Sequence, residues 1–430
     1  MHVIAVDRDP QALGFVLADE RAIISSEDEE AVDRLARARD VDGIVSPGAD
    51  WPVGIAARVA ERIGLAHPIT ARTGSIVTSK ARQREAFAAA GVPHAREVDG
   101  IVSPGADWPV GIAARVAERI GLAHPITART GSIVTSKARQ REAFAEAGVP
   151  HARELDPRRG VLRFPLVVKV PDRQGQRGLA LVRSPDELEA ALEAALAESR
   201  GGAVLVEEHV EGPEVTVNAV SVDGRFVPLT VTDRLTAEPP AFGVALAHAW
   251  PSRHDTAAAA VAAGAAVEAV GIRNGPSYTQ LRLGPAGPVV MEVAARLGGG
   301  HDAELCAAAT GVDLNALAVS FALGDDMSET DMSSCLAPRH VTKRQGAAVV
   351  FLVPPAGRLL QVDGLAEAEA LPGVEWVRVY RRPGHVFGLL RRGADRAGAV
   401  LVTGADRDDA LVRGRRAADA VRFRIDADAS

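Results

Sequence analysis

Residues 41–97 recur almost unchanged at 98–154, with Ala89 against Glu146 the one difference in 57 positions. Old structural repeats drift apart, so identity this high marks a recent event or an artefact of sequence assembly. Two copies also make no solenoid, which needs at least three stacked units. Each copy reads as a strand (Asp42–Val45 in the first), a Ser-Pro-Gly turn, an amphipathic helix (Trp51–Ile63), a loop and a second helix through Lys80–Ala90. Copy two stands directly before the motif-bearing remainder of the chain and is taken as the working copy. Lys80 is then the redundant twin of Lys137.

Ahead of the repeat the pattern is strand (Val3–Val6), short strand (Ala22–Ser25) and helix (Asp28–Arg39). Such alternation predicts a parallel α/β sheet over residues 1–130. From Pro165 onward the pattern changes. Strands are expected at Leu166–Val170, Leu179–Val182, Val204–Val206 and Val215–Val220, with a hairpin of Leu281–Leu283 and Val289–Val293. Helices are expected at Asp186–Ala197, Ala257–Val270 and Leu314–Leu323, the first entered through Ser184-Pro185. These fill a second domain, 131–325. A linker over 325–336 leads to a third, α+β domain at 337–430, with strands at Ala347–Val353, Glu375–Tyr380 and Ala399–Thr403 and a helix from Asp408 to Val421.

With 47% apolar and 24% charged residues in 430, the chain is globular, and its length suggests about three domains. The absence of an 18-residue apolar run argues against a membrane span. The start Met1-His2-Val3 does not read as a signal peptide, and Cys306 and Cys335 cannot build a disulfide scaffold, so the expected compartment is the cytoplasm. A net charge of -7 with no basic stripe argues against nucleic acid as partner. Only Lys80, Lys137, Lys169 and Lys343 are lysines; the other 45 of 49 basic residues are arginine. A lysine that resists such a skew marks a place where an ammonium group is needed.

Lys169 ends a strand and is followed by Asp172-Arg173-Gln174-Gly175-Gln176-Arg177-Gly178. Backbone N–H groups and one ammonium suit a polyphosphate, and the alternative is an ordinary hairpin loop. The run Val206 to Val217 presents backbone groups at a turn, where Glu214 can accept bonds from ribose hydroxyls; the alternative is a solvated acidic turn. Glu292 follows Val289-Val290-Met291, and a carboxylate on an apolar strand is costly without a cation. A magnesium ligand fits, with the Gln280 amide on the partner strand. Arg296, before Gly298-Gly299-Gly300, can offer its planar fork to a phosphoryl group. The alternative is an ion pair between Glu292 and Arg296. His301-Asp302 reads either as a substrate contact or as a helix N-cap at Asp302. Cys306 reads as a small core residue, Cys335 is given no role, and Lys343-Arg344 reads as a solvated pair.

In order and spacing these pieces resemble the ATP-grasp carboxylate–amine ligases from about Val98 to Arg422. Lys137-Ala138-Arg139-Gln140-Arg141 matches the first phosphate-binding lysine of that family, Lys169 the second, and Glu207–Glu214 the hinge. The segment Phe242–Pro251, with His248, and the C-terminal unit look most like the L-amino-acid ligases that form dipeptides.

The resemblance implies an ATP-grasp fold of mixed α/β and α+β class, with an N-terminal Rossmann-like (pre-ATP-grasp) domain that carries the duplication. It implies ATP held by Lys137, Lys169, Gln174, Gly175, Gly178, Glu207, Glu208, Val210 and Glu214. Gln280 and Glu292 would hold two magnesium ions, with manganese as a substitute. Arg296 and Lys169 would be catalytic, and His248, Arg296, Gly299 and His301 would meet the substrate. The implied reaction joins a small carboxylate to an amine through an acyl phosphate, in a homodimer. A purine-type or carbamoyl-phosphate-type ATP-grasp enzyme, and an ATP-binding protein without turnover, are the alternatives. Three positions depart from the family pattern: Ala294 stands where many members carry Asn, Gln280 where Glu is common, and Ala245 where an acid often lies. The chain also starts at what is usually the second strand of the N-terminal domain. Copy one would then either fill the vacant βα unit or loop out.

Overall fold

The computed structural model describes residues 2–46, 50–92, 99–159, 161–173, 175–325 and 346–427. The chain divides into two compact units, Met1–Val98 and Asp99–Ser430.

In the first unit β1 (Ile4–Asp7) and β2 (Glu20–Ile23) form a two-stranded parallel sheet. Then come α1 (Glu29–Ala38), α2 (Asp50–Ile63), α3 (Ala71–Val77) and α4 (Lys80–Ala89). Asp28 caps α1 by accepting from the Ala31 N–H at 3.0 Å. Ala36, Ile55 and Val59 bury together between α1 and α2. Arg58 binds Glu29 at 2.6 Å, and Arg62 reaches Glu29 and Asp33. Copy one is therefore packed on α1. The strand expected at 42–45 does not form, and neither does its twin at 99–102. In copy one Val41 and Ile44 pack into the α1–α2 cluster instead. In copy two the backbone runs so close to the Ala322 carbonyl that a Cβ on Gly100 would lie 2.2 Å from it. Among the described residues the predicted parallel sheet thus stops at two strands.

The second unit opens with copy two as α5 (Asp107–Ile120), α6 (Ala128–Val134) and α7 (Lys137–Glu146). A small antiparallel sheet follows, ordered β4-β3-β5, from β3 (Leu166–Lys169), β4 (Ala180–Val182) and β5 (Leu205–Glu208), with α8 (Pro185–Glu198) against it. The chain then forms β6 (Glu214–Val222), β7 (Arg225–Thr236), β8 (Ala245–Trp250), α9 (Thr256–Ala269), β9 (Gly275–Gly284), β10 (Gly287–Ala294), α10 (Asp302–Thr310) and α11 (Leu314–Leu323). It ends with β11 (Gly346–Leu352), β12 (Gly357–Asp363), α12 (Leu365–Glu369), β13 (Val374–Val379), β14 (Val386–Phe387), β15 (Gly398–Gly404), α13 (Arg407–Ala420) and β16 (Arg422–Asp426).

One antiparallel sheet spans this unit in the order β10-β9-β6-β7-β8-β11-β15-β13. Strands of the expected C-terminal domain therefore extend the sheet of the expected central one, through β8–β11 pairing. Side chains alternate across the sheet. Val215, Val217, Val231 and Leu281 face the alanine-rich α9 and, with Phe144 of α7, form the largest core cluster. The other face is buried yet polar: Glu214, Thr216, Asn218, Thr232 and His248 lie on it. Buried polar rows are unusual, and they mark this face as the place where a site is built. Residues 326–345, with the linker, Cys335 and Lys343-Arg344, lie outside the described residues. Among the described residues no single helix is long and apolar enough to cross a membrane.

Candidate active site

Ser136 caps α7 and so fixes Lys137 at the first turn. The Lys137 Nζ donates to the Arg173 carbonyl at 2.7 Å and pairs with Glu292 Oε1 at 3.3 Å. One turn on, Arg141 is buried; its Nε pairs with Glu207 Oε1 at 2.8 Å, and a guanidinium nitrogen donates to the Met291 carbonyl at 2.8 Å. Gln140 locks the same helix to β10, donating to the Val293 carbonyl at 3.0 Å and accepting from the Val293 N–H at 2.9 Å. Lys169 ends β3 with its Nζ 2.5 Å from Glu207 Oε2. Burial, then the charge of Arg141, pull the Lys169 pKa down to about 8 against the attraction of Glu207. Burial opposes ionisation of Glu207 as well, but Lys169 and Arg141 overcome it and hold that carboxyl below its usual range.

Glu292 and Gln280 are register partners across β10–β9, next to a bulge between Val290 and Glu292. Bulges re-aim side chains beside sites, and here Arg141 holds the bulge carbonyl of Met291. The Gln280 amide nitrogen donates to Glu214 Oε1 at 2.6 Å, which leaves the amide oxygen for other ligands. Glu214 also pairs with Arg234 and lies 3.7 Å from Arg282. Arg282 donates in turn to the Val210 carbonyl at 3.0 Å.

Lys137, Lys169, Gly175, Glu207, Glu208, Val210, Glu214, Gln280 and Glu292 line one cavity of about 110 Å³. Gly175 and Gly178 hold positive φ, and a Cβ on Gly178 would meet Val170 Cγ2 at 2.5 Å. Gln174 lies outside the described residues. Glutamate and amide oxygens side by side suit a hard cation that keeps water and phosphate oxygens in its shell. Among the described residues no cluster of three His, Cys, Asp or Glu side chains forms a dedicated metal cage.

The remaining expected residues gather elsewhere, around the glycine run. Arg296 does not pair with Glu292; Asp107 of α5 binds it, and it donates to the Leu297 carbonyl at 2.7 Å. His248 is buried with its Nδ1 3.3 Å from Asp302 Oδ1. Asp302 is the first residue of α10 and not its cap, which is His301, held at φ 66°. His301 contacts the Tyr380 hydroxyl at 2.5 Å and Glu304 at 3.0 Å. A Cβ on Gly299 would meet nothing within 4 Å, whereas one on Gly298 would strike Tyr278 at 2.5 Å. Cys306 is a buried core residue, and burial pushes its thiol up to about 11.

Arg141, Arg234 and Asp107 hold Glu207, Glu214 and Arg296 in the structure, and no sequence motif assigns them that role. A single Arg inside the β7 run Val231-Thr232-Asp233-Arg234-Leu235 was a readable signal for one of them. Asp107 carried none, since its pairing with Arg296 spans 189 positions.

Residues 152–330 match the family model of the carbamoyl-phosphate synthase L chain, ATP binding domain. Residues 350–426 match L-amino acid ligase C-terminal domain 2. The uncharacterized protein y4rH of Sinorhizobium fredii is 28% identical over 309 residues, 67% of this chain and 61% of that protein. Carnosine synthase 1 of Gallus gallus is 29% identical over 227 residues, 49% of this chain and 24% of that protein. The chain thus spans less than two thirds of these curated relatives. The crystal structure of an L-amino acid ligase from Bacillus licheniformis superposes with a TM-score of 0.67 at 22% identity, covering 80% of this chain and 84% of that one.

Proposed function

We propose that this chain, which belongs to the ATP-grasp superfamily, is an ATP-dependent carboxylate–amine ligase acting on amino-acid-like substrates. The observation that carries the reading is the convergence of Lys137, Lys169 and Glu292 on one cleft.

The difficulty in such a reaction is to bring a carboxylate against a triphosphate. Lys137 and Lys169 supply fixed positive charge at the phosphates, acting by position and electrostatics. The Gly175–Gly178 loop covers them, and Glu214 meets the ribose. Glu292 and Gln280 would hold two magnesium ions, whose chemistry is to neutralise the phosphate charge. A substrate carboxylate oxygen bonds the γ-phosphorus, the β–γ bond breaks and ADP leaves. A neutral amine then bonds the acyl carbon, the bond from that carbon to the phosphate oxygen breaks, and the amine proton is lost. Beside its bonds to Asp107 and the Leu297 carbonyl, Arg296 has one terminal guanidinium nitrogen left for the transferred phosphoryl group. Exclusion of water by the loop keeps the acyl phosphate for the amine.

Incubation with ATP, magnesium and pooled amino acids tests this. Phosphate release that depends on amino acids, with new amides by mass spectrometry, supports it. Release that requires bicarbonate, or ATP binding without release, overturns it.

A further inference from the structure

α2 and α5 share one 14-residue sequence, but their surroundings differ. On α2 the row Ile55, Val59 and Ile63 packs with Val32 and Ala36 of α1, and Ile55 and Val59 are 2% and 0% exposed. Two arginines flank the row: Arg58 pairs with Glu29, and Arg62 with Glu29 and Asp33. On α5 the twins Ile112, Val116 and Ile120 are 39%, 39% and 57% exposed. Among the described residues no carboxylate pairs with Arg115 or Arg119, the twins of Arg58 and Arg62.

The other side of α5 is firmly seated. Val110 and Ala114 belong to the main core, and a Cβ on Gly111 would lie 3.1 Å from the Gly131 carbonyl oxygen. The helix therefore cannot turn its bare row inward. Residues 112, 116 and 120 follow at i, i+4 and i+8, so they make one continuous apolar line. A contiguous line of this kind marks an interaction site, unlike apolar residues scattered singly over a surface.

α2 shows what fits such a line. α1 presents Glu29, Val32, Asp33 and Ala36, a carboxylate and an apolar residue in each of two successive turns, and it meets both the row and the arginines beside it. We propose that α5 carries a docking surface for an acidic amphipathic helix of this pattern, supplied by a different polypeptide. The chain's own α1 is already held on α2. A second copy brings the same shortage, one α1 for two receptor helices, and a contact of α5 with α5 would set arginine against arginine. The row is short, so the contact belongs to the weak, transient class. α5 begins at Asp107, which binds Arg296, so the surface lies on the helix that positions a residue of the candidate site.

The probe is a labelled peptide of residues 26–40, the α1 sequence, stapled on its outer face because so short a helix is marginal alone. It is titrated into the full chain and followed by fluorescence anisotropy. Saturable binding of one peptide per chain is expected. Val116→Asp should weaken it at least about 10-fold, the scale of an interface anchor. Arg115→Glu with Arg119→Glu should weaken it about 10-fold as well, and a peptide carrying Glu29→Arg and Asp33→Arg should bind that variant better than wild type. Both arginines are exposed, so this pair decides the matter should Val116→Asp fail to fold. No saturable binding, or binding that these substitutions leave unchanged, overturns the proposal. Self-association of the wild-type chain that Val116→Asp abolishes also overturns it, because a second copy then covers the row. A Val116→Cys thiol that a reagent cannot reach in the chain alone does the same, because the chain's own α1 then lies there. None of these results bears on the ligase reading.

Discussion

Lys169 and Arg141 hold the two oxygens of one buried carboxylate, Glu207, at 2.5 and 2.8 Å. The arrangement makes Lys169 titrate low. In the unfolded chain it keeps its proton up to 10.5, whereas the folded site releases it near 8. Between these values the unfolded state binds more protons, so stability rises with pH there. The rise amounts to about 3 kcal/mol for this group, and the cost is fully present below pH 8. Denaturation of the ATP-free protein from pH 7 to 10.5 should show this rise in wild type and its loss in Lys169→Met. On the proposed role of Lys169, whose ammonium form would bind phosphate, the same titration should appear in kcat/KM as a basic limb near pH 8.

Lys137 and Lys80 start helices of nearly the same sequence, but Lys80 is exposed and Lys137 pairs with Glu292 at 3.3 Å. Lys137→Ala should cost about 100-fold or more in kcat/KM, as loss of a fixed charge donor does. Lys80→Ala should leave turnover unchanged. Steady-state kinetics of the two variants decides this.

Phe144 is fully buried in the main core, while Phe87, its twin, is 40% exposed. Phe144→Ala should destabilise the protein by about 3–5 kcal/mol, and Phe87→Ala by less than about 1 kcal/mol. Chemical denaturation of both variants measures the difference. The one sequence difference, Ala89 against Glu146, lies at exposed positions and does not cause it.

Glu292→Gln removes the carboxylate expected to meet magnesium and also unpairs Lys137. The magnesium concentration for half-maximal turnover should rise at least about 10-fold. An unchanged magnesium titration would remove Glu292 from the metal role.

Much of this site was readable because its signals are local. Lys169 at a strand end and the glycines at 175 and 178 follow from neighbouring residues. So does the apolar run before Glu292. What was not readable depends on partners far along the chain. The strand expected at 42–45 had the right composition, but among the described residues no strand pairs with it in either copy. The pairing of Arg296 with Asp107, in place of Glu292, needed the docking of α5. The long strand β7 carries Pro228, Asp233 and Arg234 and does not look apolar, because one of its faces is the polar floor of the site. The two copies make the point most directly, since one helix sequence buries Gln140, Arg141 and Phe144 in copy two and no residue in copy one.

The claim on which the account turns is that a substrate carboxylate is phosphorylated by ATP before it meets the amine. Amino acids labelled with ¹⁸O in the carboxylate, supplied with ATP and magnesium, test it through the mass of the released phosphate. The account predicts one ¹⁸O in phosphate for each amide formed. Unlabelled phosphate, with or without amide, would contradict it.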